Sequence, residues 1–368
     1  MANNFDAARL ALRSLYPKND LLVDDKGLPS VMVYIPKFRL CDVLSTTDTS
    51  IHPAFIVNGK EIDGFYMGKY QSCRYNGRMY SLGRKDPAAS LTVDTFINES
   101  RAKGKGWHEV TAAEWAAIAL WCHKNGCEPL GNNDYGKDAE ESIYSASPSK
   151  IEGGKIHRTE TGTGPETWSH NRSADGIWDL TGNVYEYAIG VRVINGELQV
   201  IANNDAADNE CDLGSTSTVW KAIRASDGEL ITPDGSGTTD GSIKINLSFA
   251  SGVYEYCTTK KRAPNGVFTC GFGYLGTDST IGEKAELMLQ ALALEPDINL
   301  TGDNIDTTYK LAKTSINNGD KSAEFFIARG GSASQAKLPG MFSTHQALDR
   351  LVRYDYAGGR LAYVDLPE

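Results

Sequence analysis

The chain has 368 residues, 40% of them hydrophobic, which is enough to bury the core of one large or two ordinary domains and too many for global disorder. A formal net charge of -10 argues against a nucleic-acid backbone or an anionic membrane surface as partner, because both call for clustered Lys and Arg. No apolar run approaches the roughly 18 residues of a membrane span, the first residues lack the basic start and apolar stretch of a secretory signal, and 7 cysteines are too sparse for a disulfide framework.

In chain order, Phe5 to Leu15 has helical spacing and Pro17 stops it. Ser30 to Ile35 has the composition of a strand ending at Pro36. Strands are predicted at Phe55–Ile62 and Gly64–Tyr70, with Asn58-Gly59 as a tight turn. Val93 to Lys103 is predicted helical with Asp94 as its cap. Thr111 and Glu114 then fit a capping box, in which each satisfies an amide left open at a helix start. Trp115, Ile118, Ala119 and Cys122 share one face of the helix that follows, and Gly126 suits its end. Gly131 to Asn171 is rich in Gly, Ser, Thr and Asn and is expected to be mostly loop. Asp175 to Ile194 combines a turn with an aromatic strand, and Asn195-Gly196 begins a hairpin return. From Asn203 to about Asp320 the chain turns polar and Gly-rich, with a short strand predicted at Ser242–Leu247 and a helix at Ala285–Leu294. Near the end, Phe325–Ala328 runs into Arg329-Gly330-Gly331, and Gly358-Gly359-Arg360 runs into Leu361–Val364. The stretch between has no clean period, and there is no internal repeat.

Motifs that would announce chemistry are absent or weak. There is no phosphate loop, no H-E-x-x-H and no G-x-S-x-G. Ser147-Pro148-Ser149-Lys150 matches S-x-x-K, but in a polar loop with a proline inside it. Cys122 and Cys127 are the closest cysteine pair, and a zinc site would need two more ligands; they are expected to be thiols near a helix end. The six histidines are scattered. Asn183 and Glu186 could offer oxygens to a structural calcium, the one cofactor considered; otherwise Asn183 makes a turn and Glu186 an internal hydrogen bond.

Three segments together resemble the C-type-lectin-like fold of the formylglycine-generating-enzyme type. Gly106–Trp115, "GWHEVTAAEW", resembles the start of its E-W helix. Gly176–Tyr187, "GIWDLTGNVYEY", resembles its G-N-V-W-E-W signature, with Tyr185 and Tyr187 in the tryptophan places. "ARGGS" and "GGRLAYV" resemble its closing strands. The resemblance implies an α+β fold: an N-terminal helical segment over 1–30, then a C-type-lectin-like domain over 31–368 with a long polar insertion at about 195–322. It also implies that Trp107, Trp115 and Trp178 anchor one core. Enzymatic members carry a reactive cysteine pair near the R-G-G-S strand, and no cysteine follows Cys270 here. Relatives of the sulfoxide-synthase type need a histidine cluster that this chain lacks.

The closing segment, about 329–364, is similar to the variable region of proteins diversified by retroelements, phage receptor-binding proteins among them. Ala333 stands where that branch usually has Trp, and Gly359 where it usually has Phe. Adenine-directed diversification of AAC-like codons permits variation at Ser334, Ala336, Leu338, Ser343, His345, Ala347, Leu351, Arg353, Tyr354, Asp355 and Tyr356. Gln335, Lys337, Met341 and Gln346 fall outside it and are expected to be fixed. The resemblance thus implies a non-enzymatic receptor- or ligand-binding protein, a phage tail adhesin or prophage product. Its partner would be a protein or carbohydrate on a bacterial surface, with neither nucleic acid nor membrane insertion involved. Its location would be the virion tail, or the host cytoplasm before assembly, and it would be a homo-oligomer if displayed in several copies. The alternatives are an enzyme of the formylglycine-generating or sulfoxide-synthase type and a structural virion subunit.

Overall fold

The computed structural model describes residues 5–141, 143–248, 253–259, 267–297, 313–317, 324–337 and 340–367. The fold is mixed, with mostly sheet content, and its centre is the helix Ala112–Lys124. This helix is apolar on all sides and correspondingly buried from Ala112 through Leu120 and again at Cys122. Its start is the predicted capping box: Thr111 accepts from the Glu114 amide, and Glu114 accepts from the Thr111 amide. Gly126 follows the end with φ +61°, a backbone shape that favours glycine.

A five-stranded antiparallel sheet has the order Asn19–Val23, Pro29–Pro36, Gly64–Gly68, Leu361–Tyr363, Trp107–Glu109. The last strand of the chain therefore lies inside this sheet, with Ala362 opposite Met67 on one side and His108 on the other. A 12-stranded sheet among the described residues runs through Lys313–Asn317, Thr344–Asp349, Glu324–Arg329, Tyr185–Ile194 and Glu197–Val200. Ala357-Gly358 pairs with the start of Tyr185–Ile194, so the chain leaves one sheet at Gly358 and joins the other at Leu361.

Trp107, Trp115 and Trp178 are all buried, as expected of core anchors. They do not share one cluster: Trp115 packs in the main core, Trp107 in a second and Trp178 in a small third. Asn58-Gly59 and Asn195-Gly196 form the predicted turns, each with positive φ at both residues. The stretch 131–171 is mostly loop, as expected, and the sequence did not show the hairpin that Pro148–Glu152 and Lys155–Thr159 form in it around Gly153-Gly154. Its strands are largely solvent-facing and carry no apolar alternation to betray them. The helix Val93–Arg101 is capped by Thr92, and Asp94 instead binds Arg350.

The segment expected to be a polar insertion is not an appendage in its described part. Glu197–Val200, Lys221–Ile223 and Lys244–Ser248 extend the large sheet. Leu198, Ile223, Ile245 and Tyr256 join the core cluster that contains Trp115. The N-terminal helix, Asp6–Leu15, buries no residue, and Arg9 and Arg13 hold it to Asp20.

His52 sits without solvent contact beneath this core. Its Nδ1 accepts from the Ala54 amide and its Nε2 donates to the Ala291 carbonyl. Burial lowers its pKa from 6.5 to about 4, so the folded state keeps it neutral where the unfolded chain would protonate it. Stability from this group is complete above pH 6.5 and is lost as the pH falls toward 4. We expect the melting temperature to drop over that window, and His52→Gln to flatten the drop; an unchanged slope in the variant would contradict the assignment.

Candidate functional site

The closing segment is held by two buried arginines. Arg329, at the end of Glu324–Arg329, donates from Nη1 to the Ala293 carbonyl at 2.9 Å and to Thr344 Oγ1 at 2.6 Å, and from Nη2 to the Leu292 carbonyl at 2.8 Å. These partners are neutral, and burial lowers the guanidinium pKa to about 10, which leaves it charged at neutral pH. Gly330 follows at φ +84°, and a Cβ there would lie 2.6 Å from the Leu180 carbonyl oxygen, so only glycine fits the turn. Arg360 grips both carboxylate oxygens of Glu186, Nε to Oε2 at 2.6 Å and Nη2 to Oε1 at 2.7 Å. It also donates to the carbonyls of Gly68 and Trp178. Arg329 and Arg360 are both fully buried.

Between these anchors the segment divides. Thr344–Asp349 is a sheet strand lying between Glu324–Arg329 and Lys313–Asn317. Ser343 and Ala347 are buried, which corrects their assignment as binding positions: Ala347 lies on a strand between two others, which presents only part of its side chains, and Ser343 closes the turn before it, its amide donating to the Gly340 carbonyl. Leu338 lies outside the described residues. The stretch from Leu351 to Tyr356 instead runs over the surface, with Leu351 78%, Val352 43% and Tyr356 37% exposed. Arg353 and Asp355 are also exposed, as are Ser334 and Ala336 in the turn after Gly331.

Aromatic rings join these pieces. His345 stands edge-on to Tyr185 at 5.4 Å and stacks near Tyr356 at 6.3 Å, and Tyr354 and Tyr356 are 5.4 Å apart. Gln335 donates to the Tyr185 hydroxyl at 2.7 Å, which ties the Ser334–Ala336 turn to the same cluster. Burial raises the Tyr356 phenol to about 12, so it stays neutral and can donate. Asp355 reaches Lys150 of the 148–159 hairpin at 3.6 Å. The main chain here is pinned: the Ser90 amide donates to the Tyr354 carbonyl, and the Tyr185 amide to that of Tyr356. Arg350 adds ion pairs to Asp94 and Glu324. Gln335, Met341 and Gln346 serve the frame, with Gln335 bonding Tyr185, the Met341 carbonyl accepting from Trp115 Nε1, and Gln346 buried; Lys337 is exposed.

Sequence reasoning missed Val352 and Lys150. Nothing in the sequence singled out Val352, and no signal linked the distant hairpin to this face.

The oxygens considered for calcium are committed to protein donors. Asn183 Oδ1 accepts from Asn132 Nδ2 and from the Thr159 amide, while its Nδ2 donates to Gln71 Oε1. Asn183 adopts φ +64°, a turn conformation. Both Glu186 oxygens are taken by Arg360, and Gln71 adds a third bond. Burial pushes the Glu186 carboxyl up while the guanidinium holds it back. Cys122 is fully buried, and burial raises its thiol well above the ordinary range, which makes it a poor nucleophile. Among the described residues no group of three or more His, Cys, Asp or Glu side chains is arranged to hold a metal ion.

No family model matches this chain, and neither does any curated protein. Among solved structures it is similar to PvdO from Pseudomonas aeruginosa, at 13% identity and TM-score 0.35, covering 93% of this chain and 97% of that one. It is similar to Treponema denticola variable protein 1, at 11% identity and TM-score 0.32, covering 94% and 98%. A third is a Major Tropism Determinant P3c variant, at 10% identity and TM-score 0.28, covering 90% and 62%. A variable protein and a tropism determinant are thus among the structures similar to this chain, which resembles that group in its closing motifs. At these scores the likeness carries no weight for function.

Arg360→Met should cost about 3–5 kcal/mol in denaturant unfolding, because it strands a buried carboxylate; a loss under about 1 kcal/mol would show the pair to be dispensable. Excess chelator should leave the melting temperature unchanged, since Asn183 and Glu186 already have their partners. A drop on chelation would place a cation elsewhere in the fold.

Proposed function

We propose that the chain is a non-enzymatic binding protein whose partner is a protein or carbohydrate on a bacterial surface. The contact residues are Ser334, Ala336, His345, Leu351, Arg353, Tyr354, Asp355 and Tyr356, together with Val352, and the buried Tyr185 supports them from below. One observation carries this reading: these side chains face outward while the main chain beneath them is fixed by buried arginines and carbonyl hydrogen bonds. A partner then meets a preorganised surface and does not pay to order it. Tyrosines supply rigid contact area, while Ser, Asp and Arg supply adaptable polar contacts. Leu351, Val352 and Tyr356 are large hydrophobic side chains left exposed on this short stretch, as interaction surfaces often leave them.

In its finer form the proposal is a phage or prophage adhesin that is diversified by a retroelement, carried on a virion tail and displayed in several copies. The resemblance of the closing motifs supports it, and so does the separation between frame and surface, since a protein that must vary needs positions where variation spares the fold. The enzymatic alternatives lack comparable support.

The test uses fluorescently labelled protein on a panel of bacterial cells and on a glycan array. Tyr356→Ala should keep the melting temperature, because exposed substitutions are usually worth within about 0.5 kcal/mol. Binding should fall by about 2 kcal/mol, some thirtyfold. Tyr354→Ala should cost somewhat more stability, since its hydroxyl accepts from the Asp349 amide and its ring packs on the second core. If Tyr356→Ala unfolds the protein, or binds as well as the parent, the surface is misassigned.

A further inference from the structure

We propose that a second site, separate from the closing segment, binds a small aromatic carboxylate in the cavity between Pro29–Pro36 and the C-terminal half of Ala112–Lys124. The cavity measures about 570 Å³, within the range of small-ligand sites. Its walls include Tyr34, Phe38, Ile118 and Trp121, an apolar and aromatic surface suited to a flat ring. None of its lining residues belongs to the closing segment.

The polar end of the site is His170. This residue is only 6% exposed, lines the cavity, and stands 5.4 Å from Trp121, ring to ring. Its Nδ1 accepts from the Ile177 amide at 2.8 Å, so the proton of the neutral ring sits on Nε2. Burial lowers the imidazole pKa to about 4, which keeps that ring neutral. Among the described residues nothing accepts from Nε2. A neutral N–H on the cavity wall with no such protein acceptor can donate to a ligand oxygen.

Charge at the mouth specifies the kind of oxygen. Lys18 and Lys124 line the cavity, are exposed, and make no ion pair among the described residues. Lys37 is already paired with Glu61 and Asp63. Two carboxylates also line the wall, Asp42 accepting from the Arg39 amide at 2.8 Å and Asp175 from Asn171 Nδ2 at 2.8 Å; both keep their charge, and the lining lysines Lys18, Lys37 and Lys124 outnumber them. Two unpaired ammonium groups near a neutral N–H donor favour an anionic acceptor over a neutral one.

Isothermal titration of the full chain with 2-naphthoate, and with 2-naphthalenemethanol as its neutral counterpart, tests the site. We expect one saturable site and a preference of about tenfold for the acid. Lys18→Met should bring the acid down to the alcohol's affinity and leave the alcohol unchanged. Asn125→Trp, at an exposed position on the rim, should weaken both. Melting temperatures confirm that both variants fold, and Tyr356→Ala should bind 2-naphthoate like the parent. The proposal is overturned by no saturable binding up to about 5 mM, by equal affinity for acid and alcohol, by indifference to both rim variants, or by loss of naphthoate binding in Tyr356→Ala.

Discussion

Arg360 carries its charge into a position with no solvent, at the point where the chain passes from one sheet to the other. Its guanidinium is shared among Glu186 of the aromatic strand, the Gly68 carbonyl of the opening sheet and the Trp178 carbonyl of the turn before that strand. A buried guanidinium tolerates little displacement, because each lost partner leaves a desolvated charge behind. The neighbouring residues obey the same geometry. A Cβ at Gly359 would sit 2.0 Å from Glu109 Oε1, and one at Gly358 would sit 2.5 Å from the Ala88 carbonyl oxygen. Glu109 and Phe96 thus occupy the space that the phenylalanine of similar proteins would need at position 359.

The freedom of the surface follows from the rigidity below it. Leu351 to Tyr356 is fixed through main-chain carbonyls and through Arg350, and most of its side chains take no part in that fixing. Main-chain bonds are indifferent to which side chain sits above them. Tyr354 is the partial exception, since its hydroxyl supports Asp349.

Much of this frame was legible in the sequence. The Thr111–Glu114 box, the two Asn-Gly turns and the glycine-arginine junctions are local signals with local mechanisms, and the structure contains each of them. The strand Thr344–Asp349 was not legible, because His345, Gln346 and Asp349 interrupt any apolar alternation and the strand is defined by its neighbours. The hairpin at 148–159 was hidden for the same reason. In the polar 195–297 stretch the strands that carry Leu198 and Ile245 were legible, whereas the strand Lys221–Ile223 is too short among its turns to form a period. At the candidate site, the exposed tyrosines were found through the resemblance of the closing segment and the codon rule it implies. Ala347 was misplaced because nothing local distinguishes a strand from a loop there, and Ser343 because nothing local shows the turn that buries it.

The central claim is that a tolerant surface rests on an intolerant frame. Thermal unfolding of two small libraries tests it most directly, one randomised at Leu351, Val352, Arg353, Asp355 and Tyr356, the other at Thr344, Gln346 and Leu348. The account predicts that most members of the first library melt within about 5 °C of the parent, as exposed changes should, and that most members of the second fail to fold. Similar losses in both libraries would contradict it.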